Sequence, residues 1–403
     1  MRHEREIGAS IARFGPRAVA ERLLRRELTC GRLSIRWPDG AATRIETGVS
    51  GPIAEITLEN LRPLWRLMLN GATGFAESYM DGDWDSPDLA ALIELAAVHR
   101  RARPEPRGSA TVLRAFDRLR HHLRDNSKDG SRRNIAYHYD LGNHFYEQWL
   151  DPTLTYSSAI FASPAQSLEE AQRHKCRRLL DQIDARPGHR VLEIGCGWGH
   201  FASLAARERD VRVTAITLSK EQFNFTRERI FREGLNEKVT VDLRDYRDVN
   251  GQFDRVASIE MFEAVGEKYW PAFFGKLRES LKSGGRAGLQ IITIDDRLFR
   301  AYRRGTDFIQ KYVFPGGMLP SPEALKAHVV GAGLKWHGDD GFGQHYADTL
   351  AVWRERFLAA WPRISTLGFD ERFRRMWLYY LAYCEGGFRA GNIDVRQLVL
   401  ARE

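Results

Sequence analysis

From residue 190 onward the chain alternates short apolar runs with capped amphipathic stretches, and no other feature restricts its fold as much. The apolar run 190–194 leads into Gly195, Gly197 and Gly199 and then a helical stretch at 201–207. A second strand, 211–218, ends at Ser219-Lys-Glu-Gln222, the spacing of a capping box, and the helix it opens stops at Gly234. Strands at 239–243, 253–259 and 287–294 follow, with a helix at 269–282 closed by Gly284 and Gly285. Upstream, Ser167-Leu-Glu-Glu170 is another capping box, opening a helix that ends near Asp184. Strands alternating with helices predict an α/β fold, a parallel sheet with helices on both faces. Beyond it come an irregular excursion at 295–320, helices near 323–331, 346–361 and 369–388, and a last strand at 395–400.

The 403 residues are enough for two or three domains, and 43% apolar residues supply large cores. Residues 1–99 read as a smaller α+β accessory domain: a helix at 17–28, strands at 33–37 and 53–58, helices at 61–69 and 89–98, and a glycine-punctuated aromatic, acidic segment at 71–85. Residues 100–133 carry eleven Lys/Arg against four Asp/Glu, nearly the whole net excess of +8, and are broken by proline and glycine. They read as a basic linker, either lying against something anionic or merely a solvated hinge. Residues 134–403 read as the larger, α/β domain. No run reaches the roughly 20 apolar residues of a membrane span, the charged N-terminus shows no signal peptide, and four scattered cysteines fit a reducing cytosol.

The loop Glu193-Ile-Gly195-Cys-Gly197-Trp-Gly199 sits where the first strand meets its helix, so the backbone can approach a ligand closely. An acidic residue two before the first glycine, without a properly spaced G-x-G-x-x-G, suits a cofactor lacking a pyrophosphate. Asp245 closes the third strand, where a carboxylate meets an adenine amino group; Thr217 stands where a ribose-binding carboxylate would be. The loop therefore favours S-adenosylmethionine over a nicotinamide or flavin, a structural loop being the bland alternative.

Several motifs recur in a particular order: Tyr137-His-Tyr-Asp-Leu-Gly-Asn143, Leu154-Thr-Tyr-Ser-Ser158, Thr217-Leu-Ser-Lys-Glu-Gln222, Phe262-Glu-Ala-Val-Gly266, Phe314-Pro-Gly-Gly-Met-Leu-Pro320 and His345-Tyr-Ala-Asp-Thr-Leu350. Together they resemble the cyclopropane-fatty-acyl-phospholipid synthases and the mycolic acid cyclopropane and methyl synthases, over residues 134–402. The resemblance implies a Rossmann-like class I methyltransferase fold with inserted helices. It implies methyl transfer from S-adenosylmethionine to a cis double bond of a membrane phospholipid acyl chain, with cyclopropane as product. Methyl- or methylene-branched chains, or methylation of a soluble small molecule, are the alternatives. It further implies cofactor contacts at Tyr156, Ser157, Gly195 with its loop neighbours Gly197 and Gly199, Thr217, Leu218, Gln222 and Tyr246, beside the Glu193 and Asp245 already read from the loop and the strand end. A bicarbonate would be held by Ser158, Glu263, Gln290, the backbone of Ile292, and Tyr346.

Three positions depart from the commonest pattern: Ser158 where cysteine is usual, Gln290 where histidine is usual, and Glu260 where glycine is common. They put the product in question more than the methyl transfer. The chemistry also asks for electron-rich, non-nucleophilic neighbours of a carbocation, for which Tyr137, Tyr139, Phe145, Tyr156, Phe262 and Tyr346 are candidates against a plain core role. Cys384 matches a cysteine singled out in the family, although the mechanism needs no thiolate and a structural role suits it better. His138 and His144 show no metal-ligand spacing, and no metal is expected.

The stretch 298–314 mixes Arg300, Arg303, Arg304 and Lys311 with apolar residues, as a surface against an anionic bilayer would, or as an amphipathic lid. The expected setting is the cytoplasmic, inner face of the membrane, with lipid or a second copy of the chain (a homodimer) against the N-terminal domain. No nucleic-acid motif accompanies the basic linker, so no nucleic-acid partner is expected.

Overall fold

The computed structural model describes residues 2–102, 130–131 and 141–403. The basic linker, apart from residues 100–102 and 130–131, and the candidates Tyr137, His138 and Tyr139 lie outside the described residues.

The chain forms two compact units. The first is built on a four-stranded sheet of β1 (Arg32–Arg36), β2 (Ala42–Glu46), β3 (Ile53–Leu58) and β4 (Trp84–Asp85), in the order β2-β1-β3-β4. Alternating burial along β2 and β3 gives the sheet one covered face. The helix Arg62–Met80 runs through the segment read as glycine-punctuated, bending at Gly71, whose φ of 63° breaks the helical path. The unit also takes in Arg300–Phe308 and Phe369–Asn392. The boundary drawn at residue 99 misses this, because the helix Glu371–Arg389 finds its partners far back in the sequence. Arg375 places its guanidinium 4.0 Å from the Tyr79 ring and donates to the Trp84 carbonyl, and Asn392 donates to the Ala97 carbonyl.

The second unit holds a seven-stranded sheet. Its strands are β5 (Arg190–Ile194), β6 (Arg212–Thr217), β7 (Val239–Leu243), β8 (Phe253–Ile259), β9 (Leu281–Ile294), β10 (Lys335–Gly341) and β11 (Ile393–Ala401), in the order β10-β11-β9-β8-β5-β6-β7. The strands β7, β6, β5, β8 and β9 are parallel, and β11 and β10 extend the sheet antiparallel. The alternating sequence thus gives the expected sheet. The strand β10 was not expected; its lysine, aspartates and glycines carry no strand periodicity, and pairing with β11 makes it one.

On one face, Cys176, Leu179, Leu180 and Ile183 from the helix Leu168–Gln182 pack with Phe201, Ala202 and Ala205 against Val191 and Val213. The capping box that opens this helix is complete: the Ser167 hydroxyl accepts from the Glu170 amide, and the Glu170 carboxylate accepts from Ser167. Such a cap is worth about 1 kcal/mol. At the helix Trp270–Ser280, Trp270, Phe273, Phe274 and Leu277 are buried. Residues 295–320, expected to be irregular, hold two short helices, Asp296–Tyr302 and Phe308–Tyr312.

Candidate active site

The residues assigned to the cofactor follow the carboxyl ends of successive parallel strands, where ligands bind in open α/β sheets. Glu193 and the glycine loop end β5, Thr217 ends β6, Asp245 and Tyr246 follow β7, and Glu260 follows β8.

The loop leaves no room for side chains on two sides. Gly195 and Gly199 both have φ of 82°, in the left-handed region. A Cβ on Gly195 would lie 2.7 Å from the Met261 Cγ, and one on Gly199 would lie 2.4 Å from the Thr226 Cγ2. At Gly197 a Cβ would meet nothing within 4 Å. Beside the loop, Glu193 is buried, and its Oε2 has no hydrogen-bond partner among the described residues. Burial pushes its carboxyl up to about 8. A buried carboxylate oxygen without a partner among the described residues, beside the open space at Gly197, fits a ligand carrying hydroxyl or amino groups.

Other assigned residues are already engaged. The Asp245 carboxylate is 1% exposed and accepts from the Arg247 amide and from its guanidinium, through Nε at 2.8 Å and Nη2 at 2.7 Å. An adenine amino group there would share an occupied acceptor. Gln222 accepts from the Thr217 hydroxyl at 3.0 Å, so its side chain braces the end of β6; Ser219 still caps that helix by accepting from the Gln222 amide. Leu218 is half-buried beside them. Tyr246 is buried, with its hydroxyl unpartnered among the described residues.

The residues assigned to the anion do come together, but around a carboxylate of the chain itself. Glu260 Oε1 accepts from the Ser158 amide at 2.9 Å and from Gln290 Nε2 at 2.8 Å, and its Oε2 accepts from the Tyr346 hydroxyl at 2.6 Å. The Ile292 amide donates to Glu263 Oε1 at 2.5 Å, while Glu263 Oε2 is buried without a partner among the described residues. Burial, and then the neighbouring Glu260 charge, push Glu263 up to about 8. Burial also raises Glu260, opposed by the buried Lys175 ammonium and by its three donors. The three donors on Glu260 and the Lys175 ammonium favour placing the charge there, while burial and the Glu260 charge disfavour it on Glu263. The donors expected to hold bicarbonate are therefore taken, and these residues do not fit that group.

Three features escaped the sequence reading. Lys175 is fully buried and donates to the Ser157 hydroxyl at 2.6 Å. Its signal was a lysine on the apolar stripe of the helix Leu168–Gln182. Gln397, on β11, donates to Gln290 Oε1 at 3.1 Å and so turns that amide's nitrogen toward Glu260. Tyr146, Trp149 and Trp353 join Tyr156 and Tyr346 in a continuous set of ring contacts, with centroids 5.0–6.1 Å apart where Tyr146 meets Trp198 and Tyr346 meets Trp353. Phe145 and Phe262 are core residues, packed on Trp149 and on Trp270. Cys384 lies on the helix Glu371–Arg389 of the first unit and is not among the residues gathered here.

This sheet order and this glycine loop are those of the S-adenosylmethionine-dependent methyltransferases, and the protein is an enzyme of that class. The comparisons narrow the class. The family model of mycolic acid cyclopropane synthetase matches residues 126–398, and the chain belongs to that family of lipid methyl and cyclopropane synthases. It is 42% identical to the tuberculostearic acid methyltransferase UfaA1 of Mycobacterium tuberculosis, over 96% of this chain and 91% of that one. It is 38% identical to the cyclopropane-fatty-acyl-phospholipid synthase of Escherichia coli, over 87% of this chain and 88% of that one. Among solved structures, the cyclopropane synthase CmaA1 complexed with SAH and CTAB matches 67% of this chain and 97% of its own, with a TM-score of 0.63 at 31% identity.

Proposed function

We propose that this enzyme methylates a cis double bond in an unsaturated acyl chain of a membrane phospholipid, and that the product is a methylene-branched or unsaturated methyl-branched chain. The observation that carries the reading is the convergence of Ser158, Gln290 and Glu260, the three departures from the family's commonest pattern, on one hydrogen-bonded group. Each alters the surroundings of the base that takes a proton after methyl transfer. The likeness to a tuberculostearic acid methyltransferase over nearly the whole chain supports the same product class.

S-adenosylmethionine supplies an electrophilic methyl group on a sulfonium. Glu193 and the glycine loop would hold it at the end of β5. An alkene is a poor nucleophile, so the chain must exclude water and align the double bond; the rings of Tyr146, Trp149, Tyr156, Trp353 and Tyr346 offer apolar walls and π faces toward a cation. As the new carbon–carbon bond forms, positive charge is left on the other alkene carbon. If a proton leaves the added methyl at once, a ring closes. If a hydride shifts first, the same loss leaves a methylene branch.

A cyclopropane product is the second reading, favoured by the likeness to the Escherichia coli synthase. Expression in a host without its own synthase, followed by NMR of the extracted acyl chains, separates the two. Branch-methylene (1,1-disubstituted alkene) or new methyl-branch signals are expected; upfield cyclopropyl protons would overturn the product assignment, and unmodified chains would overturn the methyl transfer.

This reading places the enzyme at the cytoplasmic face of an anionic membrane. Among the described residues no helix is long and apolar enough to span one. Support comes from Trp65, Met68 and Leu69, exposed by 46%, 38% and 54% at helical spacing on Arg62–Met80, an apolar face of the interfacial kind. Arg300, Arg303 and Arg304 are exposed too, whereas Phe308 and Val313 are buried, so 298–314 offers mainly its cations to a surface.

A further inference from the structure

We propose that the Glu260 carboxylate takes the place of the bicarbonate implied by the family resemblance, so that this enzyme carries its own proton acceptor and needs no dissolved anion. The inference rests on the methyl-transfer reading above. Bicarbonate and a glutamate side chain present the same recognition group, a planar carboxylate with two acceptor oxygens. The donors assigned to bicarbonate are the amides of Ser158 and Ile292, the Gln290 side chain and the Tyr346 hydroxyl. Here three of them converge on Glu260, and the fourth, Ile292, donates to Glu263. A second anion would find these four donors already taken and would face two carboxyl groups.

The backbone points the same way. Glu260 has φ of 51°, one of four non-glycine residues at positive φ among the described residues. Glycine would sit there without strain, so a side chain is retained at a position that disfavours one, and that side chain is the group on the assigned donors. The departures also match one another: the Gln290 amide donates to a fixed carboxylate and accepts from Gln397, a role that a neutral amide fills without titrating.

In the step this assigns, a C–H bond of the cationic chain breaks and its electron pair fills the empty carbon orbital. The proton passes to Glu260 Oε2, which accepts one hydrogen bond, from Tyr346, and retains a lone pair. Glu263, the carboxyl held protonated, does not compete for it. Glu260 gives the proton to water after product leaves.

The test combines binding and turnover. Wild-type protein should bind no labelled bicarbonate by NMR, and its turnover on unsaturated phospholipid vesicles should be the same in carbonate-free and bicarbonate-supplemented buffer. Glu260→Gly, which suits the backbone, should keep S-adenosylmethionine binding and lose roughly 10²–10⁴-fold in turnover. It should also gain bicarbonate binding and recover part of the lost rate as bicarbonate is added. Glu260→Gln, which fills the same space, should be equally slow and not recover. Bicarbonate binding to the wild type, or a Glu260→Gly variant that is fully active without added anion, would overturn the proposal. Absence of methyl transfer by the wild type would instead overturn the function, while the binding measurement still decides the anion's place.

Discussion

The Tyr346 hydroxyl donates to the Glu260 carboxylate at 2.6 Å, joining the helix Gly343–Ile364 to the end of β8 across 86 residues of sequence. It is one of three donors opposing the rise that burial imposes on this carboxyl. Tyr346→Phe removes that donor. A hydrogen bond to a charged group is worth about 1.5–3 kcal/mol, or about one to two pKa units. If the ionised carboxylate is the proton acceptor, activity rises with pH through its pKa, and the variant's acid limb should move to higher pH by about that amount. The pH–rate profile checks it; an unmoved limb would dissociate Tyr346 from the base.

The glycine loop separates binding from folding. Gly197→Ala places its Cβ where the chain offers no contact, so at the cost of about 1–2 kcal/mol for an L-residue at its φ of 53° the variant should still fold, and it should lose affinity for S-adenosylmethionine in a calorimetric titration. Gly199→Ala drives its Cβ into Thr226 at φ of 82°, where an L-residue also costs about 1–2 kcal/mol, and should lower the melting temperature as well. Unchanged affinity in folded Gly197→Ala would remove this loop from the cofactor site.

Glu193 and Glu263 are both held near 8 by burial. In the unfolded chain they return to about 4.3, so between these values the folded state binds more protons than the unfolded one. Their contribution to stability without cofactor should therefore be full below the unfolded value and be lost as pH rises through 8. The double variant Glu193→Gln, Glu263→Gln should flatten that decline in thermal melts; an identical slope would mean that neither carboxyl titrates as the geometry demands.

Vesicle sedimentation addresses the surface. Trp65→Ser with Leu69→Ser should weaken binding to anionic vesicles at all salt concentrations, because apolar area is lost. Arg303→Ala with Arg304→Ala should weaken it by about 1 kcal/mol per charge at low salt, the difference fading as salt screens the charge. Equal sedimentation of wild type and both double variants would dismiss these faces.

Much of the second unit was legible in the sequence because its signals are local. The run 190–194 is β5 to the residue, and 239–243 and 253–259 are β7 and β8. Ser167 and Glu170 close their capping box within four residues, and the left-handed glycines sit where strand meets helix. Turn geometry, caps and apolar periodicity act over one or two turns of chain, so composition there suffices to specify conformation.

What the tertiary structure decided is what depends on distant partners. Ser158 and Glu260 are 102 residues apart and Gln290 lies 30 beyond Glu260, so no spacing rule could show that the unusual serine, glutamine and glutamate complete one another. The sequence marked all three as departures; only the sheet, by setting β8 beside β9 and β9 beside β11, converts them into a carboxylate with its own donors. The same holds for the buried Lys175, for β10, and for the helix Glu371–Arg389 that completes the N-terminal unit. Burial and hydrogen-bond partners belong to the folded chain as a whole, and they set which carboxyl keeps its charge.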